Sequence, residues 1–96
     1  MSGAKIVEAE ARAISLILSA AGKRKLMANA CAGVSAIQAL MFVANDATRG
    51  KWDADRVEQL AGDLMESGTV RDRLRKAGFR LPIRNEMELA EMGRTA

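Results

Sequence analysis

The chain has 96 residues, of which 49% are hydrophobic and only 3% aromatic, and it carries a formal net charge of +3. This length allows one domain with a modest core, and the apolar share excludes a disordered chain. Histidine and tyrosine are absent, so the commonest acid–base groups are missing and we expect no enzyme.

The only cysteine, Cys31, lies within an apolar part of the chain. A single cysteine excludes an internal disulfide, and without a second sulfur or an imidazole we expect no metal site and no cofactor. This cysteine usage suits a reducing cytoplasm, which is the location that the sequence predicts. Apolar surroundings indicate a buried, unreactive thiol.

The composition predicts an all-α fold, because alanine, leucine and methionine favour helices and supply most of the apolar volume. We expect a single domain over residues 1–96. Its architecture would be a small bundle of four to five helices with one long central apolar helix, completed by oligomerisation. The predicted helices cover residues 4–21, 23–47, 53–67 and 69–77, and a short acidic turn follows at residues 86–92.

The first predicted helix is mostly apolar and should end at Gly22, since glycine suits a left-handed helix end. Its narrow polar strip, which includes Glu8 and Arg12, indicates a largely buried helix. Glu10 projects on an apolar side of this helix. It either reaches solvent near a frayed end or meets an arginine across an interface.

The second predicted helix contains an uncharged run at residues 26–45. A 4-3-4-3-4 spacing along it is typical of a coiled-coil seam. Small residues in the seam would let a neighbouring backbone approach, so Gly33→Leu is expected to disrupt assembly. The opposite side is also uncharged, so two faces need cover and the chain should self-associate. The predicted oligomer interface consists of Leu26, Ala30, Gly33, Ile37, Leu40, Met41 and Ala44.

The third and fourth predicted helices have clear terminal signals. Asp53 should cap the third helix, and Thr69 should cap the fourth. The Gly78–Phe79 pair predicts a Schellman ending of the fourth helix. The core face of the third helix should consist of Val57, Leu60, Ala61, Leu64 and Met65.

The best candidate site is a basic segment at residues 71–84, in which Asp72 is the only opposing charge. Such a density of cations suits a polyanion or an acidic protein surface. Alternatively, acidic residues of the third helix or of the C-terminal turn neutralise it. The candidate binding residues are Arg71, Arg73, Arg75, Lys76, Arg80 and Arg84.

Residues 53–77 also have the outline of a helix-turn-helix, an acidic helix followed by a turn and a basic helix. The match is weak. Counting back from the glycine of the turn, Gly68, gives Leu64 where a small residue is usual and Asp63 where an apolar residue is expected.

These observations favour a small non-enzymatic regulatory or inhibitory protein, of the kind phages and plasmids carry. It would self-associate and bind or occlude a macromolecular partner through residues 71–84. The alternative is a DNA-binding transcriptional regulator that uses residues 53–77. A minor alternative is a small holin-like membrane protein, because residues 26–44 are nearly long enough to span a bilayer. Polar residues within that run argue against a membrane span.

Overall fold

The computed structural model describes residues 2–95, and the side chains of residues 6–93. Over this part of the chain the protein is all-helical, which confirms the predicted class. Its six helices exceed the expected four to five. They are α1 (Ser2–Leu18), α2 (Ala20–Cys31), α3 (Ala36–Ala47), α4 (Ala54–Met65), α5 (Gly68–Ala77) and α6 (Glu86–Thr95).

The core lies between the first five helices, with α3 packed against both α4 and α1. The buried side of helix α1 is narrow and consists of Ala9, Ala13 and Ile17. Because two of these residues are alanines, α1 can lie close to its neighbours. The largest side chains that are fully buried come from all five helices: Ile17, Leu26, Leu40, Leu60, Leu64, Val70 and Leu74.

The continuous helix predicted over residues 23–47 is wrong, because the chain turns between α2 and α3. Gly33 has a left-handed backbone with φ 80°. The Gly33 amide donates to the Ala30 carbonyl and the Val34 amide to the Asn29 carbonyl, which are the two hydrogen bonds of a Schellman ending. Ser35 then caps α3, and its hydroxyl accepts a hydrogen bond from the Gln38 amide at 3.3 Å. Gly33 is therefore a helix terminator rather than a contact residue within a helix.

The end of the first helix also differs from the prediction. Helix α1 stops at Leu18, and Ser19 caps α2 by accepting a hydrogen bond from the Gly22 amide at 3.0 Å. Gly22 lies inside the first turn of α2, where an added Cβ would lie 1.8 Å from the Leu16 carbonyl oxygen. Glycine is required at this corner for close approach, not for a left-handed end.

The signals of the next two helices are mostly confirmed. Asp53 caps α4 and accepts a hydrogen bond from the Arg56 amide at 2.9 Å. The end of α5 is the predicted Schellman motif, with Gly78 at φ 110° and the Phe79 amide donating to the Leu74 carbonyl oxygen. The start of α5 differs, because Ser67 is the cap and Thr69 lies within the helix. Val57, Leu60, Ala61 and Leu64 are buried as expected, while Met65 is half-buried.

None of the helices in the described part of the chain combines the length and the apolarity that a membrane span requires. The apolar run at residues 26–44 is divided by the turn after α2.

Candidate functional site

The structure separates the six predicted binding cations into two groups. Arg71, Arg75 and Arg84 converge on the carboxylate of Glu88 and are only 3%, 19% and 29% exposed, respectively. We call these three arginines the arginine cage. Arg73, Lys76 and Arg80 lie outside it. The basic segment therefore does not form one continuous surface.

Glu88 is almost fully buried in the arginine cage. Its Oε2 accepts hydrogen bonds from Arg71 Nε at 2.6 Å and from Arg84 Nε at 3.0 Å. Its Oε1 accepts from Arg71 Nη2 at 2.9 Å, from Arg75 Nη2 at 2.6 Å and from the Arg84 amide at 3.1 Å. Arg71 thus holds the carboxylate through two atoms, the geometry in which a guanidinium binds a carboxylate or phosphate most strongly.

Further hydrogen bonds hold both Glu88 and its arginine partners in position. Asn85 accepts a hydrogen bond from the Glu88 amide at 2.9 Å, so it fixes the first turn of α6. Arg71 also donates to the carbonyls of Met65 and Pro82, and Arg84 donates to the carbonyl of Glu66. The guanidinium groups are thereby fixed in position around the carboxylate.

The charges of the cage stabilise one another. Hydrogen bonds from Arg71, and then from Arg75 and Arg84, hold the pKa of the Glu88 carboxyl well below its usual range, although burial acts in the opposite direction. The hydrogen bond to Glu88 likewise raises the pKa of Arg71. Glu88 therefore remains ionised in the folded protein at all ordinary pH values, and one carboxylate already occupies the cage.

The other three predicted cations are not paired with Glu88. Arg73 is half-buried and donates to the Leu18 carbonyl at 3.4 Å, at the corner between α1 and α2. Lys76 forms an exposed ion pair with Asp72 at 3.0 Å. Arg80 is exposed and has no ion pair with any described side chain.

An exposed cation, Lys23, belongs to the neighbouring helix α2, which packs on α5. Lys23 lies two helical turns before Ala30, on the same side of α2. The Ala30 methyl group is 3.7 Å from where a Cβ on Gly78 would lie. We call Lys23, together with the cations of α5 and of the segment just after α5 that are not paired with Glu88, the basic face: Lys23, Arg73, Lys76 and Arg80.

The predicted oligomer interface is not a surface of the folded chain. Leu26, Leu40 and Ala44 are fully buried within it. Ala30 and Met41 are half-buried and pack on the core, while Ile37 is 37% exposed. Gly33 is exposed, with no atom within 4 Å of an added Cβ. Leucine at Gly33 would therefore strain a left-handed backbone rather than block an approaching helix, which corrects the reason given for Gly33→Leu.

Cys31 is exposed at the end of α2, so the predicted burial of its thiol is wrong. Among the described residues, no group of three or more cysteine, aspartate or glutamate side chains could hold a metal ion.

Sequence reasoning missed a second group of cations, in which the fold adds a cation of α1 to three cations of residues 49–56. Arg12, Arg49, Lys51 and Arg56, together with one carboxylate, Glu8, line an open groove of about 430 Å³ between α1 and the α3–α4 loop. The Arg56 guanidinium lies 4.1 Å from the centre of the Trp52 ring. Arg12 lies far from the other three cations in the chain, so no local pattern could have revealed that α1 completes the groove.

Comparison of the chain with protein-family models, with curated proteins and with solved structures gives no match. The function is therefore inferred from the residues of this chain alone.

Proposed function

We propose that the protein is a small non-enzymatic interaction protein that self-associates and binds an acidic surface of another macromolecule, which it thereby occupies or occludes. A cytoplasmic location and a regulatory or inhibitory role belong to this proposal. The observation that carries it is the division of the basic segment. One set of cations is neutralised by Glu88, whereas the basic face keeps exposed cations on α2 (Lys23), on α5 (Lys76) and just after α5 (Arg80).

We assign the arginine cage to stabilisation of the fold and not to partner binding. Its guanidinium groups already hold a carboxylate, so an incoming anion would have to displace α6. The basic face needs no such displacement. Cations at the rim of an interface steer an acidic partner and select its orientation, so the basic face is the surface that we assign to the partner.

DNA binding through α4 and α5 is the weaker candidate. Its support is the short connection at residues 66–67 between the two helices, which has the outline of a helix-turn-helix. Against it, Arg71 on the would-be recognition helix is buried, and Arg75 is paired with Glu88. Few cations of α5 remain to neutralise phosphates, on which affinity for DNA depends.

The proposal is tested by fluorescence anisotropy with two labelled probes, a polyglutamate peptide and a short DNA duplex, at about 50 and 200 mM salt. We expect the peptide to bind more tightly than the duplex. Lys23→Glu with Arg80→Glu should weaken peptide binding by about tenfold or more, because the variant places like charges against the probe.

Lys51→Glu is the matched control, since it reverses an exposed cation of the groove outside the basic face. It should leave the affinity for the peptide unchanged. Loss of binding in this variant alone would place the partner in the groove. Tighter binding of the duplex, with a steep loss of affinity at higher salt, would favour the DNA-binding regulator.

A further inference from the structure

Helix α1 carries an apolar stripe that the folded chain does not cover. Val7, Ala11, Ile14 and Leu18 follow a 4-3-4 spacing, which places them on one side of the helix. Val7 is 66% exposed and Leu18 is 41% exposed, Ala11 is exposed, and Ile14 is half-buried at the edge of the core. We call these four residues the α1 stripe.

The α1 stripe is separate from the side of α1 that packs into the core. Ala9, Ala13 and Ile17 form the buried side. At about 100° per residue, the α1 stripe is centred more than a quarter turn from that side. Heptad spacing with a small residue near the middle is the pattern by which one helix packs along another. A second helix therefore fits this surface.

The charges beside the α1 stripe identify the second helix. Glu8 and Glu10 flank its Val7 end on either side, and neither forms an ion pair with a described side chain. Glu10 is half-buried. At the other end, the Arg73 guanidinium lies 3.4 Å from the Leu18 carbonyl oxygen. The stripe is thus acidic at one end and basic at the other.

We propose that α1 pairs antiparallel with α1 of a second copy of this chain. Val7 of each copy packs against Leu18 of the other, and Ala11 packs against Ile14. The same two-fold axis brings Glu10 of each copy toward Arg73 of the other, so both ends are matched by charge. In the dimer Arg73 serves this contact, and Lys23, Lys76 and Arg80 of the basic face remain for the partner. This inference deepens the proposed function, on whose self-association it rests, by naming the surface.

The size of the surface sets the expected strength. From Val7 to Leu18 the stripe runs about 17 Å along the helix axis, so the contact is at the small end of protein interfaces. We therefore expect a dimer that dissociates at micromolar concentration. Val7→Glu should leave a monomer at every concentration, because it places carboxylates in the apolar contact.

Sedimentation velocity over a concentration series tests the inference. Leu16→Glu is the matched control, because Leu16 is 39% exposed on α1 but outside the stripe. This variant should dimerise like the unmodified chain. An unmodified chain that is monomeric throughout the series, or a Val7→Glu variant that still dimerises, would overturn the proposal.

A charge exchange tests the antiparallel direction. Glu10→Arg and Arg73→Glu should each weaken the dimer by about tenfold, since each places like charges together at both ends. The double variant should recover most of the lost affinity. Absence of recovery, with circular dichroism unchanged, would exclude this arrangement.

The polyglutamate assay separates this proposal from the proposed function. Val7→Glu should leave the affinity unchanged for a peptide too short to reach both copies, because Val7 lies outside the basic face. Dimerisation can therefore fail while partner binding stands, and the reverse holds for Lys23→Glu with Arg80→Glu.

Discussion

Helices α4 and α6 are attached to the protein in opposite ways. Helix α4 buries an apolar face, including Leu60 and Leu64, against α3 and the rest of the core. Among the described side chains of α6, Glu88 alone is buried, and Met87 and Leu89 are 73% and 54% exposed. One helix is held by removal of apolar surface from water, and the other mainly by a carboxylate among arginines.

This difference determines which conditions each region can sense. Apolar packing is insensitive to pH and only weakly affected by salt. A buried carboxylate depends on its ionisation and on the continued presence of its partners, since an unpaired buried charge is costly. Acid or loss of charge should therefore release α6 while the bundle of α1–α5 stays folded.

The largest effect should come from the apolar region. Leu64 is fully buried, so Leu64→Ala should lower the free energy of unfolding by about 2–5 kcal/mol, from lost burial and the cavity that remains. Urea unfolding followed by Trp52 fluorescence measures this loss. Leu89→Ala on exposed α6 is the control, and a comparable loss there would mean that α6 belongs to the core.

Acid should act first on α6. The folded-state pKa of Glu88 is depressed, so its stabilisation is complete above the ordinary value of 4.5 and is lost progressively as pH falls below it toward the folded-state value. The amide NMR signals of α6 should shift in this range before Trp52 fluorescence changes.

The matched variants of this acid experiment are Glu88→Gln and Glu86→Gln. Glu88→Gln should release α6 at neutral pH and abolish the acid step, whereas the exposed Glu86 should tolerate its substitution. Simultaneous acid transitions of α6 and Trp52 in the unmodified protein would show that the two regions unfold as one unit.

The smallest effect should come from the exposed ion pair of α5. Lys76 and Asp72 are 68% and 58% exposed, so Asp72→Asn should change the free energy of unfolding by no more than about 0.5 kcal/mol. Thermal unfolding by circular dichroism measures it. A loss approaching that of Leu64→Ala would show that burial is not what distinguishes the arginine cage from a surface pair.

Local signals predicted much of the fold. Asp53 caps α4 and Gly78 ends α5 because each acts through hydrogen bonds to residues a few positions away. The break between α2 and α3 was missed because a glycine in an alanine-rich run can lie within a helix or end it. The sequence does contain a signal here, since Gly33 is followed by Ser35 and Gln38, which have the spacing of a capping box.

The candidate site was less predictable, because contacts between residues distant in the sequence decide which of its cations are neutralised. The density of cations in residues 71–84 is visible in the sequence. Which of them are neutralised depends on Glu88, which lies 17 positions after Arg71 and reaches it only through the fold. The α1 stripe was hidden for a related reason: an almost wholly apolar helix does not reveal which of its sides the core will use.

The corner at Gly22 has a mechanical consequence. Because the first turn of α2 lies directly against the Leu16 carbonyl, the angle between α1 and α2 is held by backbone contact rather than by adjustable side chains. In the proposed dimer, the fixed angle between α1 and α2 would set the distance between the basic faces of the two copies. Such a dimer would be a bivalent binder of fixed spacing: it binds with avidity only where a partner presents two acidic patches at the matching separation.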